Sequence, residues 1–312
     1  MKWAIILFLL GSLSLPFETN AQLHAANANT LAAAQDSLQQ LSYKMINAPT
    51  AEQRQKACGQ FIPLFVNALK TPHSYAFPFD SLKQISILYD KERTFRIFTW
   101  AIALSEIQYR FYGALQIKTA DGSLKLYPFF DNTPYIQNLD TITSPKAWIG
   151  ALYYGMRKTT YNGKDIYTLM GWCGFSLQTN KKVLDVLTFQ NGEPVFGAPL
   201  FSFPDDSVQH ELQNRFFLEY KRDGNASMNY DSTTQMIVYD HLMSLNSQPD
   251  NKASLVPDGT YEAFKWINGK WVHLPRVFDE TIEKPPVPKP LLETQPIEGN
   301  KNQVTPIKTR KD

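Results

Sequence analysis

Apolar residues recur at helical spacing in the first third of the chain. Leu31, Leu38, Leu41 and Met45 share one face and predict a helix from about residue 29 to 47. A second stripe follows Pro49 at spacings i, i+3, i+4, i+7 and i+11, formed by Cys58, Phe61, Ile62, Phe65 and Leu69. The pattern predicts two N-terminal helices, each with an apolar face for another layer to cover.

Local signals define the second helix further. Thr50 is placed to cap its N-terminus, and Gln53 is placed to complete a capping box. Pro63 interrupts the stripe and predicts either a kink or two short helices. A third short helix is expected around residues 80–88.

From Thr94 onwards the apolar pattern has a period of two, as in TFRIFTWAIAL, which is typical of β-strands. Turn signals separate these runs: ADGS at 120, YNGK at 161, QNGE at 190, RDGN at 222, DSTT at 231 and INGK at 267. No helical pattern lies between the runs, which argues against parallel βαβ units. We predict an α+β, mostly β fold in which the helices pack on a large antiparallel β-meander. A sandwich and a curled sheet are both open, with a propeller-like arrangement as a further alternative.

The two ends of the chain differ from its middle. Lys2, the apolar run WAIILFLLGSLSL and small residues at a cleavage site predict a signal peptide over residues 1–21. Residues 279–312 hold six of the 20 prolines and no aromatic residue, which predicts a flexible Pro-rich tail. Between them we place a helical region, 22–90, and an antiparallel β domain, 91–278. We expect an exported protein, periplasmic or extracellular, with no transmembrane segment.

Composition narrows the function classes. A net charge of +2 on 312 residues argues against a nucleic-acid partner. Two cysteines allow at most one disulfide, and a bridge between Cys58 and Cys173 stays open. The five histidines show no metal-ligand spacing such as HExxH, and we expect no cofactor.

Cys173 lies in a strand-like run after the YNGK turn. If the Asn-Gly pair forms a two-residue loop, counting outward pairs Leu152 with Cys173 and Tyr154 with Gly171, on an apolar face. A buried, structural thiol is the favoured interpretation. A bulge at the neighbouring glycines would turn the thiol outward, and a reactive thiol would then need a nearby base.

The candidate catalytic residues form no recognisable sequence motif. Asp240 and His241 are adjacent in a predicted strand, so their side chains point to opposite faces and cannot form a direct dyad. No nucleophile elbow of the G-x-S-x-G kind is present. A hydrolase would have to bring together, in the fold, members of this pool: Cys173, His241, His273, Asp231, Asp240 and Glu262.

The segment DGNASMNYD carries an oxygen-bearing side chain at every second position: Asp223, Asn225, Ser227, Asn229 and Asp231. Such hard ligands suit calcium, but Met228 stands where an EF-hand loop needs glycine. The favoured interpretation is the solvated face of a strand, with the calcium site as the weaker alternative.

A third segment, YEAFKWINGKWVHL, predicts a hairpin rich in aromatic residues. With Asn-Gly at the turn, Trp266 faces Trp271 and Phe264 faces His273, all on one face. An exposed face of this kind would bind sugar rings or partner side chains. Because most large aromatic residues are buried, packing of this face on the core is the favoured alternative.

Several phrases, among them PFDSLKQIS, LYPFFD, ASMNYDSTTQMIVYDHL and PDGTYEAFKWINGKWVHL, occur between residues 77 and 274. As a set they resemble a group of exported proteins of unknown function from Bacteroidota. The resemblance implies an envelope or secreted location and carries no catalytic residues. We therefore expect a non-enzymatic envelope module that binds a glycan, peptide or protein partner, with an exported hydrolase as the alternative.

Overall fold

The computed structural model describes residues 23–174, 176–204 and 212–278. Two helices begin this part: α1, Ala25–Asn47, and α2, Ala51–Leu69. Thr50 Oγ1 accepts a hydrogen bond from the Gln53 N–H at 3.2 Å, and Gln53 Oε1 accepts one from the Thr50 N–H at 3.4 Å. The predicted capping box is thereby confirmed.

Pro63 lies within α2, which continues through it as a single helix. The alternative of two short helices is therefore wrong. Phe61 and Phe65, on either side of the proline, are both buried in the same core beneath the helix. This packing on both sides compensates for the backbone hydrogen bond that proline removes.

Fourteen strands follow within the described residues. They are β1 Ser86–Tyr89, β2 Phe95–Ala103, β3 Tyr109–Ile117, β4 Lys125–Phe130, β5 Leu152–Tyr161, β6 Lys164–Gly174, β7 Thr179–Gln190, β8 Glu193–Phe196, β9 Phe201–Ser202, β10 Phe216–Lys221, β11 Met228–Asp231, β12 Met236–Ser244, β13 Leu255–Ile267 and β14 Lys270–Val277. Short 3-10 helices cover Ser74–Ala76, Thr133–Tyr135, Pro145–Ala147 and Lys252–Ser254.

The predicted helix at 80–88 is wrong, because residues 86–89 form β1. This strand pairs with β2, with Ser86 opposite Thr99 and Tyr89 opposite Arg96. A helix of two turns is costly to nucleate, whereas an extended segment gains hydrogen bonds from the free edge of β2. The last part of the predicted helical region, 22–90, therefore belongs to a sheet.

The strands form three sheets. The first sheet has the order β1-β2-β3-β4, the second β10-β7-β6-β5 with β8 also on β7, and the third β11-β12-β13-β14-β9. Neighbouring strands are antiparallel except β14 and β9, which are parallel. The α+β, mostly β class is confirmed, with 22% helix, 45% strand and no closed sheet. The antiparallel strands are divided among stacked sheets, as in the sandwich alternative, and do not form one curled sheet.

Alternate residues of the central strands point into different cores, which shows how the layers stack. On β2, Phe98 packs under the helices while Ile97 packs against the second sheet. On β6, Leu169 points back to the first sheet and Met170 points to the third. The layers are therefore helices, first sheet, second sheet and third sheet. Both faces of the first two sheets are covered, so their strands are apolar on both sides.

A buried polar network lies on the second sheet. Arg215 Nε lies 2.8 Å from Asp185 Oδ1, and Arg215 Nη2 donates to Thr143 Oγ1 at 3.0 Å. Asp185 Oδ2 accepts a hydrogen bond from the Tyr153 hydroxyl at 2.8 Å. The Tyr153 hydroxyl oxygen in turn accepts one from Trp148 Nε1 at 3.0 Å. The network ties the connection between the first and second sheets to β7. We call Asp185, Arg215 and Tyr153, with these partners, the buried ion-pair network.

The ends of the chain are not part of this description. The predicted signal peptide, 1–21, and the predicted tail, 279–312, lie outside the described residues. Within the described ranges, neither helix combines the length and the apolar character needed to cross a bilayer.

Candidate functional site

Three of the six residues in the predicted catalytic pool meet on the third sheet. His241 lies on β12, Glu262 on β13 and His273 on β14. Tyr239 and Glu262 are partners in the register of β12 and β13, and this register shifts at His241. The shift leaves room for Asp258, on β13, beside the His241 ring. We call these five residues the carboxylate–histidine cluster.

Glu262 is the centre of the cluster. Its Oε2 accepts a hydrogen bond from the Tyr239 hydroxyl at 2.8 Å and lies 2.7 Å from His273 Nε2. An ionised carboxylate only accepts, so His273 Nε2 carries the proton. The other carboxylate oxygen, Oε1, lies 3.7 Å from His241 Nε2. On the far side of that ring, Nδ1 lies 2.8 Å from Asp258 Oδ2.

The electrostatics keep both carboxylates ionised. Burial is the largest single influence on Glu262 and raises its pKa, but hydrogen bonds from His273 and Tyr239 and the charges of both histidines outweigh it, so the pKa is lowered. The pKa of Asp258 is also lowered: burial raises it, and hydrogen bonds from Thr260 and His241 outweigh that effect. Burial, followed by the charge of Glu262, raises the pKa of Tyr239 well above its ordinary value.

His241 has a more exposed side chain than the histidine and the carboxylates that it meets in the cluster. Its side chain is 40% exposed, against 14% for His273 and 20% for Glu262. A carboxylate on one ring nitrogen orients an imidazole and leaves the other nitrogen to accept or donate a proton. The cluster can therefore exchange protons with a group that reaches His241 Nε2. In the part of the chain that the structure describes, no group of three or more His, Cys, Asp or Glu residues is arranged to hold a metal.

Asp231 and Asp240, the other acidic members of the pool, make hydrogen bonds with residues outside the cluster. Asp240 accepts from the Ser227 N–H at 2.5 Å, and burial raises its pKa. Its neighbour His241 takes a different partner, Asp258, in agreement with the prediction that the two form no dyad. Asp231 accepts from Thr234 Oγ1 at 2.8 Å in the turn after β11.

Cys173 is buried between the first and second sheets, with 5% of its surface exposed. Burial, the largest influence, raises the pKa of its thiol to about 12. Cys58 is a free thiol as well, buried in the core beneath the helices. Both observations fit the structural interpretation of Cys173.

The register around Cys173 differs from the prediction. The YNGK hairpin forms, but Leu152 pairs with Trp172 instead of Cys173, and Tyr153 instead of Tyr154 pairs with Gly171. A register shift between residues 153 and 155 causes the difference. The register shift lies on β5, whereas the alternative of an outward-facing thiol placed a bulge at the glycines of β6.

The segment proposed for calcium is spread over two turns and a strand. Asp223 binds Lys221 Nζ at 2.9 Å in the turn after β10, whereas Asp231 caps the turn after β11. Met228 is buried and Tyr230 packs against the third core, as the solvated-strand interpretation expects. Asn225, Ser227 and Asn229 lie between the two carboxylates along the chain.

The aromatic hairpin forms with the predicted register, Trp266 opposite Trp271 and Phe264 opposite His273. Its face packs on the core between the second and third sheets, where Phe264 is 0% and Trp271 1% exposed. Trp271 Nε1 donates to Thr168 Oγ1 at 2.8 Å across that core. An exposed stacking platform is therefore wrong for Phe264 and Trp271, because the second sheet covers them; Trp266 is half-buried.

An open groove, with a volume of about 1140 Å³, lies where the turns of the first and second sheets meet. Three exposed lysines line it: Lys118 and Lys125 flank the ADGS turn, and Lys164 belongs to the YNGK turn. Among the described residues, none of the three ammonium groups pairs with a carboxylate, while Asp165 in the groove is already paired with Lys158 at 2.9 Å. We call this the lysine groove.

Aromatic and amide side chains complete the lysine groove. Tyr161 is 43% exposed and its ring lies against Gly269, where an added Cβ would come within 2.5 Å of it. That contact fixes the orientation of the ring. The amides Asn162, Gln190 and Asn191 lie in the adjoining turns. The sequence indicated each turn but not that the turns meet, and the groove was missed for that reason.

No family model matches this chain, and neither a curated protein nor a solved structure is significantly similar to it.

Proposed function

We propose that this protein is an exported, non-enzymatic binding protein whose lysine groove holds an acidic glycan. The observation that carries the proposal is the set of three unpaired ammonium groups, Lys118, Lys125 and Lys164, along one open groove. The chain as a whole has a net charge of only +2, so this positive charge is local to the groove.

The size and the chemistry of the groove favour an extended chain of sugars. Its volume of about 1140 Å³ exceeds the upper end, about 1,000 Å³, of pockets that enclose small molecules. A fixed, half-exposed ring such as Tyr161 offers a sugar an apolar surface, and amides supply hydrogen bonds to its hydroxyl groups. The lysines select sugars that carry carboxylate groups.

Titration calorimetry with oligogalacturonate, compared with its methyl ester, tests the proposal. We expect the acid to bind and the ester, in which the charge is removed, to bind at least tenfold more weakly. The triple variant Lys118→Gln, Lys125→Gln, Lys164→Gln should bind the acid about tenfold more weakly, since three exposed pairs contribute about 0.5 kcal/mol each. The matched control changes three exposed lysines outside the groove, Lys44, Lys83 and Lys265, to Gln. Equal losses in both triple variants would contradict the proposal.

Export is supported by the apolar N-terminal run and by the resemblance to exported Bacteroidota proteins. Expression of the full chain in a bacterial host with a periplasm, followed by mass spectrometry of the processed N-terminus, tests it. We expect a mature chain that begins at Gln22. An intact Met1 in the cytoplasmic fraction would contradict export.

A second function, hydrolysis, is favoured by the convergence of His241, Glu262 and His273. In this proposal His241 Nε2, with the ring oriented by Asp258, takes a proton from a water molecule whose oxygen attacks an ester carbonyl. The C–O bond to the leaving group then breaks, and the leaving oxygen takes the proton back from the imidazolium. A panel of 4-nitrophenyl esters and glycosides tests it. Activity that is lost in His241→Asn and kept in Cys173→Ser would support this assignment, and activity unchanged in His241→Asn would exclude it.

A further inference from the structure

A second cavity, of about 370 Å³, lies at the other side of the first sheet, between α2 and strands β3 and β4. Its walls are apolar, formed mainly by Ile62, Phe65, Val66, Leu69, Ala114 and Leu126. A concave, mostly apolar cavity of this size falls within the range of small-molecule sites, about 300–1,000 Å³.

The mouth of this cavity carries aromatic side chains that the core does not cover. Phe130 is 55% exposed and Tyr135 is 83% exposed, and both line the cavity. Phe130 lies at the end of β4, and Tyr135 lies in the 3-10 helix that follows. An apolar chain entering the cavity would bury part of both rings, and this burial stabilises the bound state.

Two charged residues line the cavity, and only one of them is free. Asp131 already accepts from the Phe111 N–H at 3.1 Å, the Thr133 N–H at 3.1 Å and Thr133 Oγ1 at 2.7 Å. The Arg110 side chain is exposed, and its Cζ lies 5.8 Å from the centroid of the Tyr112 ring. Among the described residues it has no carboxylate within ion-pair distance. The unsatisfied charge at the mouth is therefore positive.

We infer that this cavity binds a free medium-chain monocarboxylate, with the alkyl chain against α2 and the carboxylate on Arg110. Arginine presents a planar fork of N–H donors that matches a carboxylate with two hydrogen bonds. A medium-length alkyl chain suits a small apolar cavity of about 370 Å³. The site is independent of the lysine groove and does not rest on the glycan proposal.

Calorimetry with decanoate, decanol and decylamine, below their aggregation concentrations, tests this inference on the full protein. We expect decanoate to bind about tenfold more tightly than decanol, and decylamine to bind most weakly. Arg110→Gln should bring decanoate to the affinity of decanol. The matched control is Arg93→Gln, since Arg93 is also an exposed arginine over a tyrosine ring, 4.2 Å from Tyr89; it should change nothing.

A second variant locates the alkyl chain. Val66→Phe adds a ring from the helix side of the cavity and should weaken decanoate and decanol equally, by tenfold or more, while circular dichroism shows that the fold persists. Equal affinities of decanoate and decanol for the native protein would overturn the role of Arg110. Unchanged binding in Val66→Phe would overturn the assignment to this cavity.

Discussion

Two clusters in this protein each join a carboxylate to a basic side chain and a tyrosine hydroxyl, and they differ in burial. In the buried ion-pair network, Asp185 lies between a cation, Arg215, and the hydroxyl of Tyr153. In the carboxylate–histidine cluster, Glu262 holds the same position between an imidazole and a tyrosine hydroxyl. The side chains of Asp185 and Arg215 are 2% and 0% exposed, whereas His241 in the second cluster is 40% exposed.

This difference in burial separates a cluster that is closed to solvent from one that solvent reaches. Removing one partner of a buried ion pair leaves an uncompensated charge in the core, which destabilises the fold. The first cluster therefore holds the connection between the first and second sheets in place. In the second cluster histidine replaces arginine, and histidine can change its charge near neutral pH. Solvent reaches His241, so a ligand or a proton can reach it as well.

The largest expected effect comes from breaking the buried network. Arg215→Met leaves Asp185 in the core without its cation, and we expect a loss of about 3–5 kcal/mol in the free energy of unfolding. Urea denaturation measures it. The control is Lys158→Met, which removes the half-buried partner of two more exposed carboxylates, Asp165 and Glu92, and should cost about 1 kcal/mol. Similar losses in the two variants would contradict the larger structural role of the buried ion-pair network.

A smaller effect is expected at Glu262. Glu262→Gln removes a charge that accepts two hydrogen bonds and should cost about 1–2 kcal/mol at pH 7. The folded-state pKa of Glu262 lies below its unfolded value of about 4.3, so its contribution is complete above that value and is lost as the pH falls through the folded pKa.

Urea denaturation between pH 7 and pH 3 checks the sign. The native protein and Glu262→Gln should converge in stability as the pH falls. Asp240, whose pKa is raised by burial, works in the opposite direction and is common to both proteins. A difference that grows towards acid pH would contradict the assignment.

Salt should affect the two clusters differently. At about 1 M NaCl the screening length falls to about 3 Å, so the stability gap between the native protein and Glu262→Gln should narrow by a few tenths of a kcal/mol. The gap for Arg215→Met should not change, because solvent ions do not reach a pair with 0% and 2% exposure. Chemical denaturation at two salt concentrations measures both gaps.

The smallest effect is expected at His241. His241→Asn removes an exposed pair with Asp258 and should change the unfolding free energy by about 0.5 kcal/mol or less. Thermal and urea unfolding measure this. A loss above about 2 kcal/mol would show that His241 is a structural residue, which would weaken the chemical interpretation of the cluster.

Local parts of this fold follow from the sequence. The Asn-Gly turns, the capping box at Thr50 and the pairing of Trp266 with Trp271 depend on residues near one another in the chain, and all three are confirmed. The bulge at Tyr154 coincides with a contact to a distant part of the chain. The Tyr154 hydroxyl donates to the Met228 carbonyl of the third sheet at 2.9 Å. No pattern within the hairpin encodes that contact.

The candidate sites also depend on contacts between residues that are distant in the sequence. His241, Glu262 and His273 could be named from the sequence as reactive residues, but their meeting depends on the register of three strands and the shift at His241. Asp185 is a charge within the apolar run VLDVLTF, a signal of a buried partner, yet its partner Arg215 lies 30 residues away on no predicted motif. The sequence indicates which residues are reactive or buried, but it does not indicate which distant residues pair with them.

The order of the layers in space follows their order along the chain, with only β9 out of sequence. As synthesis proceeds from the N-terminus, each newly made layer covers the layer before it, and the third sheet is made last. Until it arrives, the outer face of the second sheet, including Ile166, Met170 and Leu184, has no cover. A chain that stops before β11 would therefore expose an apolar sheet face, the kind of surface by which incomplete proteins aggregate and recruit chaperones.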